Sequence, residues 1–303
     1  MLTRTNDYWQ EHAFRAMGSD AHITMGDGDP ALIDWAEREV ERLEASWSRF
    51  RPDSELNQLG ASNGEWTAVS PQLLRILRAA RALFDATGRH FDPTVRHTLE
   101  ALGYDRSFTE IERDTTNDVS PTAAPGYDRV EIDADASYVR VPAGVELDLG
   151  GIGKGLAADL IAEGLVARGA RSALVSMGGD LRTAGDPPDG GWDIPVHDPL
   201  DDERTAFEHP LTSGALVTST TRIRAWTRNA RRYHHLIDPR TGDAACTGIV
   251  AVTAHGATAW WSEGVAKAAL IAGVETAAAL ADRTGVHLWC WRDDGSVAEF
   301  TSS

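Results

Sequence analysis

Apolar residues recur with helical spacing in four stretches of the chain. Over 31–47 the residues Leu32, Ala36, Val40, Leu43 and Trp47 share one face, behind Asp29 as N-cap and Pro30 near the first turn. Over 71–87 the stripe is Leu73, Leu74, Leu77, Ala80 and Phe84, opened by Ser70 and closed by Gly88. A third helix is predicted from Lys154 to Gly169. A fourth is predicted over 257–272, stopping at Gly273, and a short Ala-rich helix follows it to Gly285. Runs rich in β-branched and aromatic residues predict strands at 130–133, 138–141, 145–149, 173–176, 192–196, 215–218, 233–237, 249–253 and 286–291. Many neighbouring strands are joined by short turns, as around 133–137. The expected fold class is therefore α+β, with mixed or antiparallel sheets and packed helices. Polar, Pro/Asp-rich stretches at 107–126 and 185–204 read as surface loops. One domain is expected over 1–303, with the segments near 105–127 and 185–205 as the places where it could divide.

Composition narrows the partners. The 303 residues are 42% hydrophobic and 25% charged, as in soluble globular proteins. The formal net charge of −17 argues against a nucleic-acid partner, and an anionic ligand would need local positive groups or a metal. No apolar run reaches the roughly 20 residues of a membrane span, so no membrane insertion is expected. The first residues carry no signal-peptide pattern, and Cys246 and Cys290 stand in no metal spacing. Both cysteines are read as buried small apolar residues in a reducing, cytoplasmic setting.

The densest chemistry lies in Asp148-Leu-Gly-Gly-Ile-Gly-Lys-Gly-Leu-Ala-Ala-Asp159, where a strand-like run meets a Gly-rich turn and a helix start. Glycines let backbone N–H groups approach an anion, the helix N-terminus is the positive end of the dipole, and Lys154 adds a full charge. The pattern is neither G-x-G-x-x-G nor a Walker A loop, and a plain strand-to-helix turn with a surface lysine explains it equally well alone. Four further stretches add to it. In 47–57, Ser54 can cap a short helix and Phe50 can face a planar ring. His90-Phe-Asp-Pro begins a turn that can present Asp92 to a heterocycle. Ser176-Met-Gly-Gly-Asp180 lets backbone approach a ligand. Tyr233-His-His-Leu-Ile237 suggests a strand with one histidine on each side, followed by an Asp-Pro-Arg-Thr-Gly turn. On the fourth helix Glu263 and Lys267, four apart, read as an i,i+4 ion pair.

In content and order these stretches, with Met17-Gly-Ser19, resemble the ApbE-like FAD:protein FMN transferases. The corresponding segments are Met17–Ser19, Ser48–Leu56, Phe91–Val95, Asp148–Asp159, Gly178-Gly-Asp180, Thr218-Ser-Thr220, His235–Gly242 and Ser262–Lys267, spanning Phe14 to Gly273. The resemblance implies the family's α+β fold and an enzyme that binds FAD with a divalent cation, usually Mg²⁺. It splits the FAD pyrophosphate, moves FMN onto a threonine of a target flavoprotein and releases AMP. Carried over by position, Asp148, Lys154, Gly178 and Gly179 would contact FAD, and Met17, Phe50, His90, Phe91 and Asp92 would line the flavin nucleotide pocket. The carbonyl of Gly151 would be a metal ligand. His235 would assist removal of the threonine proton, and Asp159 would orient the neighbourhood of Lys154.

The chain departs from the family pattern in three places near the expected phosphate and metal region. Glu263 and Lys267 occupy positions where the family supplies an aspartate and a threonine as metal ligands, and an ammonium has no acceptor. Gly178-Gly-Asp180 ends in an acid instead of a neutral amide, and Thr220 replaces a glycine. Two readings follow: a working or metal-adapted FMN transferase, or an ApbE-like FAD or nucleotide binder that no longer transfers FMN, with an FAD pyrophosphatase as a further variant.

Overall fold

The computed structural model describes residues 9–112, 114–115 and 120–302. Residues 1–8, and 113 and 116–119 of the stretch read as a loop, lie outside the described residues. At the centre is an eight-stranded sheet whose spatial order follows the chain. Its strands are β1 (Trp9–Ala16), β2 (Ser19–Gly26), β3 (Ser172–Met177), β4 (Asp180–Gly185), β5 (Gly214–Thr220), β6 (Ile249–Gly256), β7 (His287–Arg292) and β8 (Val297–Phe300). Every neighbouring pair is antiparallel. The helices are α1 (Ala31–Trp47), α2 (Glu55–Gly60), α3 (Pro71–Ala86), α4 (Arg96–Ala101), α5 (Gly153–Ala167), α6 (Ala259–Ala272) and α7 (Val274–Thr284). The class is α+β, as the pattern predicts. None of these helices is long and apolar enough to cross a membrane.

Helices α5 and α6 lie on one face of the sheet, with α1, α3 and α7 packed around them. Helix α5 is buried on nearly every side because it runs between the sheet, α1 and α6. This explains its Gly/Ala-rich composition. A Cβ on Gly155 would stand 2.6 Å from the Ala259 carbonyl carbon and 2.7 Å from the Trp260 nitrogen, so only glycine lets α5 meet the start of α6. The other face of the sheet is covered by a hairpin, Trp192–Asp198 with Asp201–Leu211. Ile194, Val196 and Leu211 pack there on Leu216, Ala251, Trp289 and Trp291. Much of 185–204, read as a loop, is thus hairpin: its alternating apolar residues have a sheet face to cover.

The caps behave as their residue types dictate. Ser70 Oγ accepts from the Leu73 N–H and Ser54 Oγ from the Asn57 N–H, at the starts of α3 and α2. Residues 145–149 form no strand. Val145, Leu147 and Leu149 are buried, but among the described residues no strand lies alongside, and the Asp148 N–H donates instead to the Pro93 carbonyl at 2.8 Å. The 233–237 strand breaks at His235: Arg231–His234 pairs with Ala225–Arg228, while Ile237–Asp238 pairs with Asp243–Ala244. Cys290 is buried on β7, but Cys246, expected to be buried, is exposed in the loop before β6.

Candidate active site

A cavity of about 830 Å³ opens where the ends of β2 and β3, the α1–α2 loop, residues 90–95, the Gly150 turn and the Arg224–Ile237 region converge. That volume suits a nucleotide-sized ligand. Six basic side chains and four carboxylates line it, and two of the six, Lys154 and Lys267, are already paired with Asp180 and Glu263 beneath.

Two tight turns form one wall. Met17 and Gly18, with φ of 51° and 68°, join β1 to β2; Gly178 and Gly179, with φ of 62° and 91°, join β3 to β4. Because β2 pairs with β3, the two turns sit side by side. A Cβ on Gly178 would stand 2.8 Å from Ser19 Oγ and 3.3 Å from Lys154 Cδ. At the mouth Phe50 is 41% exposed. The Arg49 guanidinium lies 4.1 Å from its ring centroid and 4.7 Å from that of Tyr104. Arg49 also pairs with Asp148, Nε to Oδ2 at 2.9 Å, while the Gly150 N–H donates to Asp148 Oδ1 at 2.7 Å. Asp148 thus shapes the Gly-rich turn by tying it to the aromatic mouth. Asp92 caps its own turn, accepting from the Thr94 N–H and hydroxyl, and burial raises its pKa. Phe91 is buried against Gly151, whose added Cβ would lie 2.9 Å from the Phe91 ring, and the His90 ring stands 2.9 Å, at Nδ1, from the Thr87 carbonyl.

His235 lines the cavity, and its Nδ1 has no hydrogen-bond partner among the described residues. Burial, then the positive charges of Arg224 and Lys267, push its pKa well below the usual histidine value, so the ring is neutral. Its neighbour His234 faces away, with Nε2 3.0 Å from the Ala245 carbonyl and Nδ1 accepting from the Leu236 N–H.

Beneath the Gly-rich turn runs a row of four buried charges of alternating sign. Lys154 Nζ donates to Asp180 Oδ2 and to Glu263 Oε1, each at 2.5 Å. Lys267 Nζ donates to the same Oε1 at 2.8 Å, and the Gly155 N–H to Glu263 Oε2 at 2.9 Å. Burial pushes the Asp180 carboxyl up to about 6 despite Lys154. Burial also opposes the charge on Glu263, but Lys154 and Lys267 outweigh it and hold the group at about 2. At Lys154 the two carboxylates overcome burial and raise the pKa; at Lys267 burial wins and lowers it.

This donor set does not fit Mg²⁺. That ion requires near-octahedral oxygen ligands. Lys267 offers none, Glu263 is fully buried with three N–H donors already on its two oxygens, and Asp180 is held by Lys154. Among the described residues no group of three His, Cys, Asp or Glu side chains is placed to hold a metal. Gly151, expected as a carbonyl ligand, does adjoin Lys267: an added Cβ would be 3.8 Å from Lys267 Cδ.

Most residues singled out from the sequence line this one cavity, including Met17, Phe50, His90, Asp148, Lys154 and His235. Two do not. Glu263 lies beneath the floor. Asp159 is turned away, accepting from the Ala259 and Trp260 N–H groups at 2.9 Å each and pairing with Arg182 Nε at 2.8 Å. It caps α6, the helix that carries Glu263 and Lys267, so it is a positioning residue. Sequence reasoning missed Arg49, Tyr104 and Arg224, which also line the cavity. Arg224 donates to Ser19 Oγ at 3.2 Å. No local motif marks it; only the chain of polar residues before the Tyr233 strand could have drawn notice.

A nucleotide-sized cavity at the turn end of an antiparallel sheet, floored by a glycine-lysine turn, is the candidate site of this α+β protein. Residues 17–289 match the ApbE family, and the chain belongs to it. It is 30% identical over 261 residues to the FAD:protein FMN transferase of Rhodobacter capsulatus, covering 84% of this chain and 49% of that protein, about half its length. It is 28% identical over 273 residues to the FAD:protein FMN transferase of Vibrio cholerae, covering 88% and 81%. The crystal structure of the ApbE protein of Thermotoga maritima superposes with a TM-score of 0.87 at 26% identity, over 97% of each chain.

Proposed function

We propose that the protein is an FAD:protein FMN transferase that attaches FMN through a phosphoester to a threonine of a target flavoprotein and releases AMP. The observation that carries this reading is the cavity, which gathers Met17, Phe50, Asp92, Asp148, Lys154 and His235 from separate segments around one nucleotide-sized space. The names of the relatives support the same activity. In the reaction the threonine oxygen attacks the FMN-side phosphorus of FAD. The bond from that phosphorus to the bridging oxygen breaks, and AMP leaves with that oxygen. Neutral His235, with a free ring nitrogen, takes the threonine proton. Lys154, Lys267 and Arg224 supply positive charge where the phosphates carry negative charge. Phe50, 41% exposed, offers a ring at the mouth, backed by the buried Tyr104. Two unpaired cysteines, one exposed, favour a cytoplasmic site of action.

The test is incubation of the purified protein with FAD and a flavoprotein bearing the acceptor threonine, read by the intact mass of the target and by AMP release. A gain of one FMN with equimolar AMP is expected. AMP and free FMN with an unmodified target would replace the reading with a pyrophosphatase. FAD binding with neither product would replace it with a binding protein.

A further inference from the structure

The row Asp180–Lys154–Glu263–Lys267 does more than fill the floor. Its two carboxylates are consumed by its two ammoniums, and the sum of the four charges is zero. The carboxylates lining the cavity are also engaged: Asp148 by Arg49 and Gly150, Asp92 by Thr94, Glu44 by the Met17 N–H, and Asp20 by Arg15. No acid is left free to collect a divalent ion. Lys267 and Arg224, by contrast, both line the cavity, and both act on His235 from its wall. Lys267 adjoins Gly151 in the turn expected to meet the pyrophosphate.

We propose that Lys267, anchored by Glu263, is the resident cation of the phosphate site, and that this chain binds and uses FAD without a divalent metal ion. The proposal rests on the cavity being an FAD site but not on transfer taking place. A lysine four residues from a buried glutamate is a fixed point charge: the i,i+4 spacing puts both on one face of α6, and the single shared oxygen, Glu263 Oε1, aligns Lys267 with Lys154. Lys267, held by its hydrogen bond to Glu263, thereby sets an ammonium where a metal would otherwise have to be recruited into an acidic protein. Chemistry by positioning and electrostatics tolerates that exchange, because the reacting oxygens need compensating charge and not a particular ion.

The experiment measures FAD affinity by flavin fluorescence on metal-stripped protein, once with EDTA and once with Mg²⁺. The same dissociation constant in both is expected, and affinity at least about tenfold tighter with Mg²⁺ would overturn the proposal. Lys267→Met should weaken FAD about tenfold or more while leaving riboflavin, which has no phosphate, unaffected; Lys267→Arg should retain most of the FAD affinity. Equal loss of FAD and riboflavin in the Met variant would mean that Lys267 is only structural, and would overturn the proposal. If the Met variant does not fold, the EDTA comparison on the unaltered protein still decides. Metal-indifferent, lysine-dependent FAD binding without modification of any target would sink the transferase reading and leave this one standing.

Discussion

Glu263→Gln is the substitution that most directly probes the site floor. The carboxylate is fully buried and accepts from Lys154, Lys267 and the Gly155 N–H. The amide oxygen can still serve Gly155, but both ammoniums lose their shared anion, and Lys267 loses the counter-ion that anchors it. Removing one partner of a buried ion pair costs about 3–5 kcal/mol. An independent route gives a similar size. The group falls from an ordinary 4.5 to about 2 in the folded protein, which at ~1.4 kcal/mol per pH unit is about 3 kcal/mol. Its folded value lies below its unfolded one, so the contribution is complete above pH 4.5 and fades as pH falls toward 2. Urea denaturation at pH 7 should therefore show the variant about 3 kcal/mol less stable, with the gap narrowing in acid. Glu263→Gln/Lys267→Met, which also removes the stranded ammonium, should recover part of the loss. A single variant within about 1 kcal/mol of the unaltered protein at pH 7 would refute the shared-carboxylate account.

Three further outcomes follow from the geometry. Gly155→Ala drives a Cβ into the α6 backbone and should cost about 3 kcal/mol, read as a lower denaturation midpoint; a change below about 1 kcal/mol would mean the two helices can separate freely. Asp159→Ala uncaps α6 and takes one of the two carboxylates from Arg182, which keeps Glu163, so a loss of at least about 2 kcal/mol is expected by denaturation, with FAD affinity falling as Glu263 and Lys267 lose their placement. His235→Asn should lower kcat for transfer about 10²–10⁴-fold; because the folded pKa is lowered and the neutral ring is the active form, the acid limb of the unaltered enzyme's pH profile should lie below 6.5 and be missing in the variant.

What was legible in the sequence was what neighbouring residues decide. The amphipathic stripe and flanking turn residues give α1 the bounds expected for it, and Ser70 and Pro71 mark the start of α3. Residues 145–149 misled because burial of alternate side chains needs no partner strand. The β1–β2 hairpin was overlooked although Ala21, Ile23 and Met25 alternate cleanly toward the core. At the site, the glycine turns were legible as backbone able to approach a ligand closely, and Gly178 and Gly179 take positive φ while Gly150 and Gly151 do not. The charge row did not: Lys154 meets Asp180 and Glu263 across 26 and 109 residues, and only the Glu263–Lys267 spacing was local enough to read. Asp159 looked like part of the phosphate turn because it ends that motif, yet its place on α5 aims it at the first turn of α6.

The two ion pairs between β4 and α5 carry opposite polarity. Along the strand the order is acid then base, Asp180 and Arg182; along the helix it is base then acid, Lys154 and Asp159. Two residues of strand span about 7 Å and five of helix about 7.5 Å, so the two spacings match. Sliding the helix until one pair takes the other's place would set Lys154 against Arg182, or Asp159 against Asp180. The contact therefore works as a keyed joint that admits a single alignment, and it indexes the lysine of the glycine-rich turn to the sheet before any ligand arrives.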